Sequence, residues 1–418
     1  MGGASSRLLY KDREITSRLG QREFMSDDFI PYGRQSIDQQ DIDAVVEVLK
    51  SDYLTQGPMV GRFEKAITDV TGAGQAVAVN SATSALHLAC LALGLGPGGL
   101  LWTTPNTFVA SANCGRYCGA EVDFVDIDPA SYNMSTQALA EKLLAAEKQG
   151  RLPDIVVAVD FSGQPCDWDA LGRLKDIYGF ALIDDASHAL GASWRGQAVG
   201  NLAAADITIL SFHPVKIIAT GEGGMALTND ADLARRMRLL ASHGITREAG
   251  DFVGEAPGGW HYEQQCLGFN YRMTDIQAAL GLSQMRRLEG FLARRRDLAG
   301  RYNRLLADLP VVLPWQHPAA LSSWHLYVIQ LQDEDCRRLV YDRMRAANIG
   351  VQIHYIPVHL QPDYRALGFK PGDFPQVEAY YGRTLTLPLF PGLSESGQDR
   401  IVGRLENILA EVPACAVS

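Results

Sequence analysis

The sequence predicts an α/β fold in which a mostly parallel sheet lies between layers of helices. From about residue 37 to residue 275, short apolar runs typical of buried strands alternate with stretches of helical pattern. Strands separated by helices form mostly parallel sheets that are covered on both faces. After about residue 275, long helices are followed by a mixture of strands and helices. This change predicts a smaller α+β domain in the C-terminal part.

The length of the chain is sufficient for two domains. With 418 residues, of which 47% are hydrophobic, it can form one large core and a smaller one. We place the large domain at residues 31–275 and the small domain at residues 276–418. Residues 1–30 are expected to be an N-terminal extension that need not be ordered. Its first 24 residues are polar, and the natural start is either Met1 or Met25.

The elements of the large domain follow from local patterns. Residues 41–50 are predicted to form an amphipathic helix, because Ile42, Val45, Val46 and Leu49 fall on one face. Residues 76–79 are a short apolar run, as in a buried strand. Further helices are predicted at 62–70, 84–93 and 107–118, and further strands at 100–104, 121–125, 154–160, 181–184, 206–210 and 224–228.

The small domain is predicted to begin with one or two helices over residues 275–309, which are rich in Arg and Leu. Pro310 ends them, because proline lacks the backbone N–H that a helix needs. Strands are expected at residues 324–331 and 350–355, followed by closing helices.

Composition excludes several classes of protein. The net charge of −10 and a pI of about 5.4 argue against a nucleic-acid-binding protein. No apolar run approaches the roughly 20 residues of a membrane helix, and the start of the chain does not have the pattern of a secretory signal. Seven scattered cysteines without a Cys-x-x-Cys pair are typical of thiols in a reducing compartment. We therefore expect a cytoplasmic protein.

One glycine-rich segment, Gly94–Gly99, matches the dinucleotide-binding pattern G-x-G-x-x-G. It follows a predicted helix and precedes a predicted strand, which is the reverse of the order that places a pyrophosphate on a helix N-terminus. We interpret the segment as a turn after a helix, so a nucleotide-dependent oxidoreductase is not favoured.

The crossover between the predicted strands 206–210 and 224–228 has the most informative chemistry. It is rich in glycine and contains Ser211 and Lys216. A lysine amine forms Schiff bases with aldehydes, and a hydroxyl can bind phosphate. These two groups together suit pyridoxal phosphate, which has both an aldehyde and a phosphate.

A second segment, Asn80–Ala85, lies between a predicted strand and a predicted helix. Its small residues allow backbone N–H groups to approach an anion, which the helix dipole also favours. Thr83 could add a hydroxyl. The alternative is an ordinary helix N-cap, for which Ser and Thr are common residues.

Asp184, Asp185 and His188 end the strand predicted at 181–184. Buried carboxylates are costly unless they are used or solvated. Pyridoxal chemistry needs one carboxylate against the ring nitrogen, and the other could cap the next turn. A metal site is the rival interpretation, but a third and a fourth ligand are not evident, so no metal is expected.

Two further positions have weaker signals. Phe108 is predicted to start a helix after a strand, where its ring could stack on a flat cofactor or simply join the core. Asn270 and Arg272 lie in a Gly-Phe-Asn-Tyr-Arg-Met loop, which in isolation would be a surface turn.

Taken together, these segments occur in the order expected of fold-type I pyridoxal-phosphate enzymes. The chain resembles the DegT/StrS family of nucleotide-sugar aminotransferases over roughly residues 30 to 410. The motifs of the resemblance are Leu54–Gly57, Asn80–His87, Thr104–Phe108, Asp185–Ala189, Ser211–Lys216, Thr220–Gly224, Gly268–Met273 and His354–His359.

The resemblance implies a role for each matching residue. Lys216 would be the catalytic lysine that bonds to pyridoxal 5'-phosphate, Asp185 would hold the ring nitrogen, and His188 would lie near the ring or its 3-oxygen. Arg272, His354 and Tyr355 would approach the nucleotide sugar. The other implied cofactor contacts are Phe108 on the ring, Ala82, Thr83 and Ser211 on the phosphate, and Asn270 on the phosphate of the neighbouring subunit of a homodimer.

The implied reaction is transamination between L-glutamate, which leaves as 2-oxoglutarate, and a UDP-linked keto sugar. Within the family, the motifs are most similar to members that aminate a UDP-4-keto-6-deoxy-N-acetyl hexose in pseudaminic acid synthesis. Relatives that dehydrate sugars replace the lysine with histidine, so Lys216 favours transamination. Another keto nucleotide sugar, and a cofactor-binding sensor without turnover, remain as alternatives.

Overall fold

The computed structural model describes residues 28–201 and 203–411. The helices are α1 (Gln39–Leu49), α2 (Pro58–Thr71), α3 (Ala82–Ala92), α4 (Ala110–Tyr117), α5 (Thr136–Lys148), α6 (Trp168–Tyr178), α7 (Ala231–Ala241), α8 (Asp275–Met285), α9 (Leu288–Leu305), α10 (Glu334–Ala346), α11 (Pro362–Arg365), α12 (Pro375–Arg383) and α13 (Glu395–Glu411).

The strands are β1 (Gln75–Val79), β2 (Leu100–Thr103), β3 (Glu121–Phe124), β4 (Ile155–Val159), β5 (Ala181–Asp185), β6 (Ser193–Trp194), β7 (Gln197–Ala198), β8 (Ile207–Ser211), β9 (Gly224–Thr228), β10 (Ile245–Thr246), β11 (Glu263–Gln264), β12 (Val311–Val312), β13 (Ala320–Leu321), β14 (Tyr327–Leu331) and β15 (Thr384–Leu387).

The centre of the molecule is a seven-stranded sheet in the order β1-β9-β8-β5-β4-β2-β3. Strand β9 is antiparallel to its neighbours β1 and β8, while the strands from β8 to β3 pair in parallel. The prediction of a mostly parallel sheet is therefore confirmed. All strands of this sheet except β9 end at the same edge, which we call the carboxyl edge.

Both faces of the sheet are covered, as the continuous apolar runs predict. In β4, Val156 and Ala158 belong to one buried hydrophobic cluster, while Ile155 and Val157 belong to another. Alternate residues of a strand point to opposite faces, so each cluster fills one side of the sheet. The second cluster includes α3, and Ser111 of the neighbouring helix α4 bonds to Asp185 on this face. We call this the α3 face.

Helix starts are fixed by side chains. Thr274 and Gln277 form a capping box at the start of α8. Asp275, the first residue of α8, is fully buried and accepts hydrogen bonds from the backbone N–H groups of Gly57 (2.7 Å) and Met59 (2.8 Å). One carboxylate therefore caps α2, which has no side-chain cap of its own, and fastens it to α8.

The C-terminal part has its own core. A three-stranded sheet, β12-β14-β15, packs with helices α9, α10 and α13 around a third hydrophobic cluster. Ile30, at the end of the expected N-terminal extension, is buried in this cluster, and residues 1–27 lie outside the described residues. The domain boundaries proposed above remain a prediction.

Some predicted elements were wrong in extent or type. Residues 350–355 do not form a strand and pair only through a bridge between Gln352 and Thr386. The strand that pairs with β14 is instead β15, a buried run that directly follows α12 without a turn signal. The helix predicted at residues 107–118 begins at Ala110.

Three other expectations can be compared with the structure. Gly94–Gly99 forms the turn between α3 and β2, as predicted, with φ of +90° at Gly94. No helix within the described ranges is long and apolar enough to cross a membrane. Cys336 is disulfide-bonded, contrary to the expected thiol, whereas the cysteines found as free thiols are Cys90, Cys114, Cys118, Cys166 and Cys266.

Candidate active site

The predicted site residues that follow strands of the central sheet meet at its carboxyl edge. Parallel strands that end at one edge bring their following loops together, and ligands bind there in open α/β sheets. Predicted site residues lie at the end of four strands of this sheet or in the loops that follow them, namely β1, β2, β5 and β8. These are Ala82 and Thr83 after β1, Phe108 after β2, Asp185 and His188 at the end of β5, and Ser211 and Lys216 at the end of β8.

Lys216 lies in a tight turn after β8, where its backbone N–H donates to the carbonyl of His213 (2.8 Å). Lys216 as a whole is half-buried. Burial lowers the pKa of the Lys216 amine to about 8, although the negative charge of Asp185 acts in the opposite direction. A larger fraction of the amine is therefore neutral near pH 7 than for an exposed lysine, and the neutral amine is the form that attacks an aldehyde.

Asp185 is buried on the α3 face of the sheet, and its carboxylate has three hydrogen-bond donors within the chain. Ser111 Oγ donates to Oδ2 (2.6 Å), while Ser187 donates to Oδ1 through its Oγ (2.6 Å) and its backbone N–H (3.2 Å). A buried carboxylate with several donors can remain charged. It is therefore suited to hold a positively charged partner such as a protonated ring nitrogen.

His188 is buried beside these two groups. Its Nδ1 accepts a hydrogen bond from the backbone N–H of Ser162 (3.2 Å), and its Nε2 lies 3.1 Å from the Tyr355 hydroxyl. The ring of His325 packs against it with centroids 4.4 Å apart. Burial, together with the positive charges of Lys216 and His354, keeps the pKa of His188 well below its ordinary value. His188 is therefore neutral near pH 7.

The start of α3 is suited to bind an anion. Ser81 caps the helix by accepting from the N–H of Ser84 (3.1 Å), and the N–H groups of Ala82 and Thr83 have no acceptor within the helix. The backbone of Gly224 comes close, since a Cβ there would lie 2.3 Å from the Ala82 nitrogen. Glycine at this position thus leaves the helix start uncrowded, as a phosphate would require.

Phe108 lies just before α4 rather than within it, and its side chain is 59% exposed. Its ring centroid lies 6.4 Å from that of Tyr355. A large exposed ring at the carboxyl edge is available for stacking, while the alternative of a core phenylalanine does not fit its exposure. The stacking role remains a prediction.

The loop that contains Asn270 and Arg272 runs beside β1. Arg272 forms an isolated bridge with Val79, and its Nη1 donates to Ser242 Oγ (3.1 Å). The carbonyl of Asn270 accepts from Asn80 Nδ2 (3.4 Å), while the residue itself is exposed. The loop therefore adjoins the start of α3, which is more than the surface turn that the motif alone suggests.

His354, a predicted substrate residue, is buried in the structure. Its Nδ1 lies 2.8 Å from Thr386 Oγ1, and the Tyr32 ring packs against it with centroids 5.4 Å apart. Burial, with a further contribution from the charge of Lys216, lowers the pKa of His354 to about 3. The neighbouring Tyr355 is only half-buried, so it is better placed to meet a bound molecule.

Several residues of the site had no signal in the sequence. Ser111, Ser162 and His325 contact Asp185 or His188 from distant parts of the chain. Serine and histidine are common at many positions, so only the folded chain identifies these contacts. The exception is Ser187, whose position two residues after Asp185 is typical of a local side-chain bond.

Asp184 does not cap the next turn, which was one expectation for it. It is fully buried on the face opposite Asp185, together with Asp160 at the end of β4. Asp184 Oδ2 accepts from Thr208 Oγ1 (3.2 Å), while Asp184 Oδ1 and Asp160 Oδ2 have no partner in the described part of the chain. Burial is the main cause that raises the pKa of both carboxyls, that of Asp160 to about 7.

The residues at the carboxyl edge fit pyridoxal phosphate. Lys216 would supply an amine for the aldehyde, Asp185 a buried carboxylate for the ring nitrogen, and the start of α3 a set of N–H groups for the phosphate. Residues 28–201 and 203–411 contain no group of three or more His, Cys, Asp or Glu side chains that could hold a metal ion.

Comparison with known proteins matches the chain to an aminotransferase family. The model of the DegT/DnrJ/EryC1/StrS aminotransferase family matches residues 35–406. Among curated proteins, the chain is 38% identical to the spore coat polysaccharide biosynthesis protein SpsC of Bacillus subtilis, over 91% of this chain and 97% of that protein.

Solved structures of similar fold include sugar aminotransferases. Helicobacter pylori PseC, an aminotransferase involved in the biosynthesis of pseudoaminic acid, has a TM-score of 0.84 at 30% identity, covering 92% of this chain and all (100%) of that one. The putative sugar aminotransferase Spr1654 of Streptococcus pneumoniae in its PMP form has a TM-score of 0.84 at 29% identity, over 91% and 98% of the two chains.

Replacing Asp160 by asparagine is expected to weaken the pH dependence of stability. The folded chain keeps a proton on Asp160 up to about pH 7, whereas an unfolded chain releases it near 3.8. The free energy of unfolding should therefore fall as pH rises between these values, by about 3 kcal/mol more in the wild type than in Asp160→Asn from pH 5 to pH 8. Urea unfolding at several pH values measures the difference.

The exposed Asp176 offers a matched control, because Asp176→Asn removes a carboxylate that is already solvated. Its unfolding free energy should keep the wild-type pH dependence. If Asp160→Asn also kept it, the proton on Asp160 would not contribute to stability.

Proposed function

The chain belongs to the DegT/DnrJ/EryC1/StrS aminotransferase family, whose solved relatives bind pyridoxal phosphate, and we propose that it aminates a UDP-linked keto sugar. The amino group of L-glutamate would be transferred to the 4-keto group of a UDP-4-keto-6-deoxy-N-acetyl hexose. The products would be 2-oxoglutarate and UDP-4-amino-4,6-dideoxy-N-acetyl-β-L-altrosamine. This reaction would place the enzyme in pseudaminic acid synthesis.

The main support for transamination is the position of Lys216. Its amine has a pKa lowered to about 8 by burial and lies within electrostatic reach of the Asp185 carboxylate, at the edge where α3 begins. An amine that is partly neutral at pH 7 can both accept and return a proton. A non-catalytic sensor would not need an amine with this property.

The chain's own residues account for the steps around the cofactor. When bound, pyridoxal phosphate supplies an aldehyde that takes up amino groups and a ring that withdraws electrons from the carbon beside them. Lys216 Nζ would take the proton from the α-carbon of glutamate and deliver it to the cofactor side, and then move a proton in reverse for the sugar. Asp185 would keep the ring nitrogen protonated, and the N–H groups of Ala82 and Thr83 would hold the phosphate.

The proposal of a nucleotide sugar rests on two observations. PseC, which the chain resembles over nearly its whole length, is described as acting in pseudoaminic acid biosynthesis. Arg272 is half-buried beside β1, close to the start of α3, where a guanidinium could meet the diphosphate of a nucleotide sugar. SpsC, which is described as a spore coat polysaccharide biosynthesis protein, supports the alternative of another keto nucleotide sugar.

We further propose a homodimer in which Asn270 reaches the phosphate bound by its partner. Asn270 is exposed, and the segment before it has large exposed apolar side chains. Such side chains are typical of an interface between subunits. They are Val253 (90% exposed), Trp260 (77%), Tyr262 (54%) and Leu267 (81%).

A cytoplasmic location is proposed because glutamate and UDP-sugars are cytoplasmic metabolites. Fractionation of cells that express the protein would test it, and recovery in an extracellular fraction would contradict it.

Replacing Lys216 by alanine should abolish turnover with glutamate. The variant loses both the amine that bonds to the cofactor and the group that moves the proton, so a decrease of at least about 10³-fold in kcat is expected. Release of 2-oxoglutarate and the absorption band of the lysine-bound cofactor would both be measured. Lys175→Ala, at a lysine that instead pairs with Asp206, is the control. Normal turnover in Lys216→Ala would exclude the proposed mechanism.

The substrate is tested by product analysis with pyridoxal phosphate, glutamate and a panel of keto nucleotide sugars. The UDP-4-keto-6-deoxy-N-acetyl hexose should have the highest kcat/KM, by at least about tenfold. A preference for a UDP-pentose or a dTDP-hexose would replace the proposed substrate but not the proposed reaction type. Absence of amino transfer from glutamate to any keto sugar would contradict both.

The shared active site is tested by mixing two inactive variants. Lys216→Ala lacks the lysine, and Asn270→Asp places a carboxylate against the phosphate of the partner's site. A hybrid dimer has one site with both changes and one site with neither, so about a quarter of wild-type activity should return after subunit exchange. If each site belonged to a single chain, no activity would return.

A further inference from the structure

Strand β3 is the last strand at one end of the central sheet, with β2 as its neighbour. Every second residue of such a strand directs its backbone N–H and carbonyl away from the sheet. The N–H of Glu121 donates inward, to the carbonyl of Gly99 (2.9 Å), so the residues that face outward are Val122 and Phe124. Outward groups of this kind can pair with a strand of another chain.

An ion pair occupies both outward groups of Phe124. Its backbone N–H donates to Asp123 Oδ1 (2.7 Å), and its carbonyl accepts from Lys142 Nζ. Lys142 Nζ also lies 2.6 Å from Asp123 Oδ2 and 4.8 Å from the centre of the Trp102 ring. The ion pair and the cation–π contact hold the amine over the edge of the sheet. Phe124 therefore has its outward hydrogen bonds satisfied within the chain.

The opposite end of the sheet, at β1, has the same arrangement. The N–H of Ala78 donates to Glu64 Oε1 (2.8 Å), and the carbonyl of Ala76 accepts from Arg238 Nη2. Arg238 Nη1 lies 2.9 Å from Glu64 Oε1, so the acid and the base again form a pair. Two unrelated ion pairs thus satisfy outward backbone groups at the two ends of one sheet. This repetition favours a common role over a chance contact.

Strand β3 remains open at Val122. The outward N–H and carbonyl of this residue have no hydrogen-bond partner in the described part of the chain. A cavity of about 710 Å³ lies beside the strand. Lys142 and Trp102 line it from one face of the sheet, and Phe369 lines it from the other. The cavity therefore leaves room beside the outer edge of β3.

The occupant that matches this edge is β3 of a second copy of this chain, because the outward residues lie symmetrically about Asp123. Two copies related by a two-fold axis would meet as antiparallel strands, with Val122 of each opposite Phe124 of the other. Each of these pairs would exchange both of its backbone hydrogen bonds. Asp123 would then lie opposite the same residue of the second copy, where like charges repel.

We propose that Lys142 and Asp123 close the outer edge of β3 against pairing with a second copy of this chain. The acid takes the outward N–H of Phe124 and repels its counterpart, while the base takes the carbonyl. The Asn270 loop, which the proposed dimer uses, runs beside β1 at the other end of the sheet. Closure of β3 thus keeps copies of the chain from joining at the end that lies away from this loop.

The double variant Asp123→Val/Lys142→Met of the full chain tests the proposal. Valine offers no acceptor to the Phe124 N–H and has no charge. Methionine keeps an apolar stem over Trp102 but cannot donate to the Phe124 carbonyl. Sedimentation velocity at increasing protein concentration should therefore show a species of twice the wild-type mass. The midpoint concentration of this association should lie at least about tenfold below that of the wild type.

The matched control is Asp206→Val/Lys175→Met. Lys175 Nζ donates to Asp206 Oδ1 (2.6 Å) and to the carbonyl of Ala204 (3.0 Å), while Asp206 Oδ2 accepts from the N–H of Leu182 (2.8 Å). The same kind of ion pair is therefore removed, but Leu182 belongs to β5, inside the sheet. The control should keep the wild-type mass at every concentration. Equal association of the two double variants would contradict the proposal.

Hydrogen exchange shows where the copies meet. In the associated Asp123→Val/Lys142→Met variant, the Val122 N–H donates to the second strand, so its exchange should slow at least about tenfold as protein concentration rises. Association through unfolded chains would instead speed exchange throughout β3. A doubled mass without slower exchange at Val122 would overturn the proposal, as would a folded double variant that keeps the wild-type mass.

A second variant keeps the test decisive if the double variant does not fold. Asp123→Asn preserves the shape of the side chain and an acceptor for the Phe124 N–H, but it removes the charge that faces the second copy. The midpoint concentration should fall at least about threefold below that of the wild type. A midpoint equal to that of the wild type would rule out the repulsion on which the proposal depends.

Discussion

The carboxyl edge of the central sheet is the constraint on which the site depends. Strand β9 lies beside β8 and is antiparallel to it, so the chain that leaves β8 turns back and enters β9 from the same edge of the sheet. Two backbone hydrogen bonds, from Phe212 to Gly223 (3.0 Å) and from Thr220 to Phe212 (2.9 Å), close this loop. Lys216 is therefore held within a short closed loop, between β5 with its Asp185 on one side and α3 on the other.

The C-terminal part of the chain completes the site through buried polar contacts. Arg295 of α9 is almost fully buried and donates to the carbonyls of Trp324 (3.2 Å), His325 (3.2 Å) and Leu389 (3.0 Å), and burial lowers its pKa to about 10. A buried cation needs such acceptors, so it fixes the segment around His325. This segment in turn holds Ser162, and Ser323 Oγ donates to the carbonyl of His188 (2.7 Å). The position of His188 thus depends on both parts of the chain.

The strands of the central sheet and the loop that contains Lys216 could be located from the sequence, while the supporting contacts could not. The strands of the central sheet are short, buried apolar runs, and their following loops contain the candidate site residues, so local pattern was sufficient. Ser111 and Asp185 are separated by 74 positions, and Ser162 and His188 by 26, so no local pattern joins them. The strand expected at residues 350–355 was wrong because tertiary pairing, not apolar content, selected β15 as the partner of β14.

The two adjacent carboxyls of β5 show how one strand can place two acids in different surroundings. Alternation places Asp185 on the α3 face and Asp184 on the opposite face. Asp185 accepts three hydrogen bonds, whereas Asp184 and Asp160 each keep an oxygen without a partner in the described part of the chain, and burial raises the pKa of both. Full ionisation of all three would place three negative charges close together in a medium of low polarity. Burial therefore favours protons on Asp184 and Asp160, which lie on the face of the sheet opposite Asp185.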